Sequence, residues 1–451
     1  MKGNGKLYPI SRLIRNLNIR ELAALKTTFI SITNKVVSLL AIILYVRLTV
    51  PYLGNELFGV WMSLTSILTF LSIVSDLGLS VSMVNYVAIS KTGKGNYTTQ
   101  EITSSAFFFL FVMSITIGLI YWIFQQPIHE NLTNGILSSQ TLDEAYKGIE
   151  MLILLFLIGL PFISVEKTLE GLQLQYISIS WVMVGNILSI LATYWVAYFK
   201  LGLPYLVFST IGTQTLIRIV CWITVFGGRF QIYRPSMDQL NFAATKKLIQ
   251  AGFILFLLNL FNVIANFIDT IIITRKIGVM YVAQYAMFQK ITNLSLFFWF
   301  YTSSFWPSFS EAHAINEKSW IQNKFHFLLK LNILLGTLFG VFLILFGKKI
   351  FLYWSGGNIE SPSIIMIFSF SVYTLLYGVI SCISLVFNSG YLIRNYIISF
   401  CVASAVSFVL KYLLLNPDTL DYYMLIPVLP YLIIFIIPCY RIIRKYVETG
   451  G

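Results

Sequence analysis

Long apolar runs separated by short polar segments fill almost the whole sequence. Within a run the apolar positions are continuous and do not alternate with polar ones, which excludes barrel strands. At about 20 residues each, the runs match helices that span a bilayer. They predict about twelve such helices. Their approximate bounds are 27–50, 56–75, 101–124, 150–170, 176–199, 203–226, 248–274, 280–308, 325–346, 362–387, 391–413 and 422–443. An even count puts both termini on one side of the membrane. The pattern specifies an all-α polytopic membrane protein.

Two of the runs carry polar stripes. In "NLFNVIANFID", Asn259, Asn262, Asn266 and Asp269 share one helix face. In "SITNKVVS", Ser31, Asn34, Lys35 and Ser38 do the same. Sliding the sequence by 224 positions places Lys35 on Asn259 and Ser38 on Asn262. The same offset sets "YLGNELFGVWMSL" against "KIGVMYVAQYAMF", with Gly54 on Gly278, Gly59 on Ala283 and Trp61 on Tyr285. Near an offset of 219, Gly171 meets Gly390. These matches predict two six-helix lobes, related by a pseudo-two-fold axis along the membrane normal. Residues 1–26 form a basic N-terminal segment, 27–226 the first lobe and 227–247 a cytoplasmic linker. Residues 248–443 form the second lobe and 444–451 a tail. Two such lobes around a cavity are a transporter design.

Composition agrees. The chain is 57% hydrophobic and 11% charged, with a mean hydropathy of +0.79. A soluble domain carries about 25% charged residues. Lys and Arg set the orientation. With the N-terminus inside, inner segments hold nineteen of the assigned basic residues and outer segments and helix ends hold eight. That bias puts both termini in the cytoplasm. The net charge of +13 is scattered over short loops, so it does not suggest nucleic acid. Residues 10–25, with Arg12, Arg15 and Arg20, read either as an amphipathic helix on an anionic leaflet or as an ordinary positive flank.

Ionisable groups at membrane depth are costly and therefore functional candidates. Lys35, Arg218 and Lys290 lie in the inner to middle part of their spans. Thr210, Gln214 and Arg218 share one face; Gln289, Lys290 and Asn293 cluster on another span; Asp76 follows Thr65, Thr69 and Ser72. Cations around a cavity would attract phosphate or pyrophosphate through charge-assisted hydrogen bonds. A single Asn or Ser in a span is ordinarily interhelical glue. Arg47, Arg275 and Lys411 can equally snorkel to an interface. Asp269 can pair with Arg275, bind a proton or cation, or both. Glu166, Lys167 and Glu170 read as a charge cluster at a cytoplasmic helix end.

Other chemistries lack their signatures. There is no G-x-x-x-x-G-K-[ST] loop, so no ATPase. His129, His313 and His326 have no metal spacing. Cys221, Cys382, Cys401 and Cys439 sit in or beside apolar spans as small core residues. No cofactor or metal is expected. The longest outer loop, near 125–149, leaves no room for an extramembrane catalytic domain.

Four stretches occur in the order and spacing of a known family: "SDLGLSVSMVNYVA", "LEGLQLQYIS", "NFIDTIIITRKIGVMYVAQYAMFQKI" and "WPSFSEAHA". On them the chain resembles the polysaccharide-transporter (Wzx-type) flippases. That superfamily includes multidrug-and-toxin extruders and the lipid II flippase. The resemblance implies transport of an undecaprenyl-pyrophosphate-linked repeat unit across the bacterial inner membrane, for O-antigen or capsule assembly. It implies no enzymatic activity. Lys35, Arg218, Lys290, Asn34, Asn259, Asn262 and Asn266 would line the substrate path. Asp269, at an acidic position common in the family's seventh helix, would serve coupling or gating, with Asp76, Arg47 and Arg275. A polysaccharide polymerase and a chain-length regulator are the implied partners, beside the lipid-linked substrate and the bilayer. The alternative is a cation-coupled multidrug exporter of the same superfamily, which should hold acidic rather than basic residues deep in its cavity. A polymerase or ligase would need a large outer loop.

Overall fold

A computed structural model describes residues 19–448 apart from 92, 94, 137–138, 294, 296–301, 303–304, 316 and 389–392. Among these residues every regular element is helical. In chain order they are α1 (Ile19–Asp76), α2 (Leu79–Ser90), α3 (Thr99–Ile123), α4 (Gln125–Leu132), α5 (Ser139–Gly159) and α6 (Ile163–Gly171). Next come α7 (Gln175–Tyr198), α8 (Leu203–Gly227), α9 (Phe242–Asn266), α10 (Asp269–Ile277), α11 (Val279–Asn293) and α12 (Trp306–Ala314). The last four are α13 (Lys318–Ser355), α14 (Ile364–Asn388), α15 (Ile393–Leu414) and α16 (Pro417–Lys445).

Nine helices among the described residues are long and apolar enough to cross a membrane. A tenth appears if α5 and α6, bent by 41°, are one span. The chain is a multi-pass membrane protein. The expected twelve spans and this count differ for physical reasons. α1 counts once but contains two expected spans, joined across Gly54, where the backbone is non-helical (φ 71, ψ 178). The expected span 280–308 begins as the 15-residue α11 and continues into residues outside the description. The amphipathic segment expected at residues 10–25 lies mostly outside the described residues.

The helices fall into two compact units, each discontinuous in sequence. One comprises Met1–Leu48, Val74–Phe124 and Lys147–Phe256. The other comprises Thr49–Ile73, Gln125–Tyr146 and Leu257–Gly451.

In the first unit, α2 begins where Gly78 (φ 78) lies against Gly252 of α9. A Cβ on either glycine would overlap the other's carbonyl, so the two backbones meet directly. Leu79, Met83, Val87, Ile102, Ala106, Leu172 and Leu248 form the adjoining core. α3 starts with a reciprocal cap: the Thr98 hydroxyl accepts from the Glu101 amide, and the Glu101 carboxylate accepts from the Thr98 amide. The signal T-x-x-E makes that start legible in the sequence. Beyond its first turns, α3 turns Phe111, Val112, Ile115 and Leu119 outward. An apolar face of this extent has no stable place in water and fits lipid. Tyr194, Trp195, Tyr198 and Phe199 are exposed at the end of α7, the composition of a membrane–water interface.

In the second unit, Gly59 of α1 lies under Val279 at the start of α11, where a side chain would strike the Val279 carbonyl. Beside it, the Ser63 and Thr274 hydroxyls are 2.8 Å apart. The Val279 amide donates to the Asn134 carbonyl at 2.9 Å. Gly278 has φ 105 and ψ 158, the same unusual backbone region as Gly54. Only glycine adopts it without strain. The two glycines are the pair that the 224-residue offset aligns, so the repeat is visible in backbone conformation.

Candidate functional site

The stripe "NLFNVIANFID" runs along α9 and across its end. Asn259 and Asn262 are exposed on α9. Asn266 is the last residue of α9, and its side chain lies outside the description. After the break at Phe267 and Ile268, Asp269 opens α10. A carboxylate suits that position, because the first turn presents unpaired N–H groups.

Asp269 is fully buried, and its charge is matched. Lys411 Nζ, from α15, lies 2.9 Å from both carboxylate oxygens and donates to the Ala265 carbonyl at 3.3 Å. The Tyr285 hydroxyl donates to Oδ2 at 2.7 Å and the Tyr423 hydroxyl to Oδ1 at 3.1 Å. The Lys411 ammonium also stands 5.2 Å from the Tyr423 ring and 5.9 Å from the Tyr373 ring. One carboxylate thereby ties α10 to α11, α15 and α16, while Lys411 reaches α14. A buried ion pair persists only with such added hydrogen bonds.

This corrects the snorkelling option for Lys411. Its side chain is 2% exposed and points into the protein. The partner of Asp269 is therefore Lys411 and not Arg275. Arg275 is exposed at the end of α10, where its backbone carbonyl accepts from Asn134.

A cavity of about 210 Å³ adjoins this cage. Asn262 of α9, Gln289 and Asn293 of α11, and Tyr373 and Tyr377 of α14 line it. The structure thus brings together three amides that the sequence placed on two polar stripes, Asn262 on one and Gln289 and Asn293 on the other. Lys290, next to Gln289, is partly buried and does not line the cavity among the described residues. Tyr373 and Tyr377 were missed because aromatic residues inside an apolar run look like core. Their i, i+4 spacing in "SVYTLLYG" is the one signal that points to a shared face.

The first unit holds a separate polar chain. Asn186 Nδ2 of α7 donates to Asn34 Oδ1 at 3.1 Å and to Ser38 Oγ at 3.0 Å on α1. Gln214 Nε2 of α8 donates to Asn186 Oδ1 at 2.8 Å. Gly185 makes room, since a Cβ there would crowd the Gln214 amide. Asn34 therefore acts as interhelical glue, with Asn186 a partner the sequence did not single out. Arg218 Nε donates to Glu166 Oε1 of α6 at 2.7 Å. Glu166 is thus an ion-pair partner at an interhelical contact, while Lys167 and Glu170 pair with each other at 2.9 Å as an end-of-helix cluster. Lys35 and Arg47 are exposed on α1. Asp76 accepts from the Ser80 amide at 2.9 Å and from the Ser80 hydroxyl, bracing the start of α2.

The repeat relates one contact in each half. Tyr45 of α1 donates to Ser189 of α7 at 2.8 Å, across a separation of 144 residues. Asp269 contacts Lys411 across 142 residues. Tyr45 and Asp269 occupy positions related by the 224-residue offset. A neutral hydroxyl pair in one half stands near the place of the caged ion pair in the other, the partners Ser189 and Lys411 being 222 positions apart.

Residues 24–313 match the family described as "Polysaccharide biosynthesis protein". No curated protein matches the chain. Among solved structures, one described as the inward-facing conformation of a multidrug resistance MATE family transporter of the MOP superfamily has a TM-score of 0.77. It is 13% identical and covers 93% of this chain and 96% of its own. The outward-facing conformation of such a transporter has a TM-score of 0.61 at 14% identity, covering 97% and 99%. A MATE in complex with MaL6 has a TM-score of 0.60 at 13% identity, covering 95% and 98%. The two-lobed fold of these transporters is the fold of this chain, which belongs to the polysaccharide biosynthesis protein family.

Proposed function

We propose that this member of the polysaccharide biosynthesis protein family is a flippase, not an enzyme. It moves undecaprenyl-pyrophosphate-linked oligosaccharide repeat units across the bacterial inner membrane, for O-antigen or capsule assembly, by alternating access. Both termini lie in the cytoplasm. A polymerase and a chain-length regulator act on the delivered units.

The pairing of Asp269 carries this reading. An exporter of cationic drugs needs a carboxylate to receive its cargo. Among the described residues Asp269 is the buried carboxylate, and Lys411, Tyr285 and Tyr423 already occupy it. A cation entering there would have to displace an ammonium held at 2.9 Å. The other membrane-depth ions lean basic. Lys35 of the first unit and Lys290 of the second are each a candidate cation for pyrophosphate or acidic sugars, whereas Arg218 is engaged by Glu166.

The test is genetic. Lys35→Ala combined with Lys290→Ala should abolish surface polysaccharide while the protein still inserts. Arg218→Ala should add little. If the triple variant displays wild-type polysaccharide, the cationic path is wrong.

A further inference from the structure

The cavity beside the Asp269 cage has a lining that discriminates among ligands. Its polar residues are Asn262, Gln289 and Asn293 with the hydroxyl residues Thr292, Ser295 and Thr374, and its walls include the Tyr373 and Tyr377 rings. No Lys, Arg, Asp or Glu lines it among the described residues.

That lining fits some occupants poorly. A phosphate group would find no cation there, and anions are held by charge-assisted bonds. A cationic drug could use an aromatic face. Tyr373 already turns toward the Lys411 ammonium at 5.9 Å, however, so a second cation would add like charge nearby. An isoprenoid chain would set hydrocarbon against a lining rich in carboxamides and hydroxyls, a poor match.

A neutral sugar ring meets each demand. Its hydroxyls both donate and accept, as a carboxamide does. Its C–H face carries partial positive charge and packs against the negative face of an aromatic ring. The volume, about 210 Å³, is below the roughly 300–1,000 Å³ of pockets for drug-sized ligands, so it suits one ring. Asn262 and Asn293 are exposed at the rim, which leaves room for the rest of a glycan to continue outward. We infer that the cavity lined by Asn262, Gln289, Asn293, Tyr373 and Tyr377 is a subsite for one neutral pyranose ring of the carried glycan. The inference rests on the proposed transport of a sugar-bearing lipid.

Saturation-transfer difference NMR tests it on the full chain in lipid nanodiscs. The probes are glucose, galactose, N-acetylglucosamine and N-acetylgalactosamine, each offered alone. At least one sugar should receive saturation on its ring C–H protons. Tyr377→Leu and Asn293→Ala should each weaken the signal about fivefold, the worth of about one net hydrogen bond. Gln284→Ala should leave it intact, because Gln284 bonds the Glu360 and Ser361 carbonyls away from the cavity. Absence of saturation from all four sugars, or equal saturation in the Tyr377 and Asn293 variants, overturns the subsite. Lipid-linked oligosaccharide translocation by a protein that saturates none of the sugars sinks the subsite and leaves the flippase standing. Saturation that vanishes in the two variants, for a protein that moves no such lipid, does the reverse.

Discussion

Asp269 shows how burial and partners decide what an ionisable residue can do. Its carboxylate accepts from one ammonium and two phenols, so its charge is spent inside the fold. Removing one member of such a pair leaves an uncompensated ion. Asp269→Asn should cost about 3–5 kcal/mol by stranding Lys411. Adding Lys411→Met should recover most of that loss. Thermal unfolding of the purified variants in detergent measures both; a double variant no more stable than Asp269→Asn would contradict the cage. The sequence revealed Asp269 and the Asn stripe because polar letters stand out in an apolar run. It left Lys411, three residues from the end of α15, open between an interface and the interior, because position along a helix does not decide between them. Only packing around Asp269 shows that the side chain turns inward.

At the scale of elements, the helix breaks carry information that hydropathy does not. The apolar runs give the spans, since length and Lys/Arg distribution are one-dimensional properties of the chain. The interruption within α1 at Gly54 falls between two expected spans, but the break at Phe267 and Ile268 and the bend between α5 and α6 lie inside single expected spans, 248–274 and 150–170. Pro161 hints at the bend between α5 and α6, and the repeat hints at Gly54 by setting it on Gly278. Gly278→Ala should destabilise the protein by about 1–3 kcal/mol, because alanine is strained at φ 105. Gly227→Ala should change stability by less than about 1 kcal/mol, as open space surrounds that helical position. Melting temperatures of the two variants compare these effects; equal shifts would remove the argument from backbone strain. The cavity was half legible for a related reason. Its amides stood out as Asn262, Gln289 and Asn293, whereas Tyr373 and Tyr377 were indistinguishable from core until α14 was seen beside α11.

At the scale of the whole molecule, the internal repeat supplied related positions with unlike chemistry. Tyr45 with Ser189 in one half answers Asp269 with Lys411 in the other. The caged charge and the amide–aromatic cavity lie in the same compact unit. The family assignment and the shared fold support the proposed transport, and the locked carboxylate favours a sugar-bearing anion over a cationic drug as its cargo. Reconstitution separates the two cargoes. Proteoliposomes containing the purified chain should move undecaprenyl-pyrophosphate-linked oligosaccharide to the opposite leaflet faster than protein-free vesicles, as read by accessibility to an added membrane-impermeant glycosidase. The same vesicles should not accumulate a cationic dye such as ethidium. Oligosaccharide that stays on its original leaflet, with ethidium transported, would contradict the account.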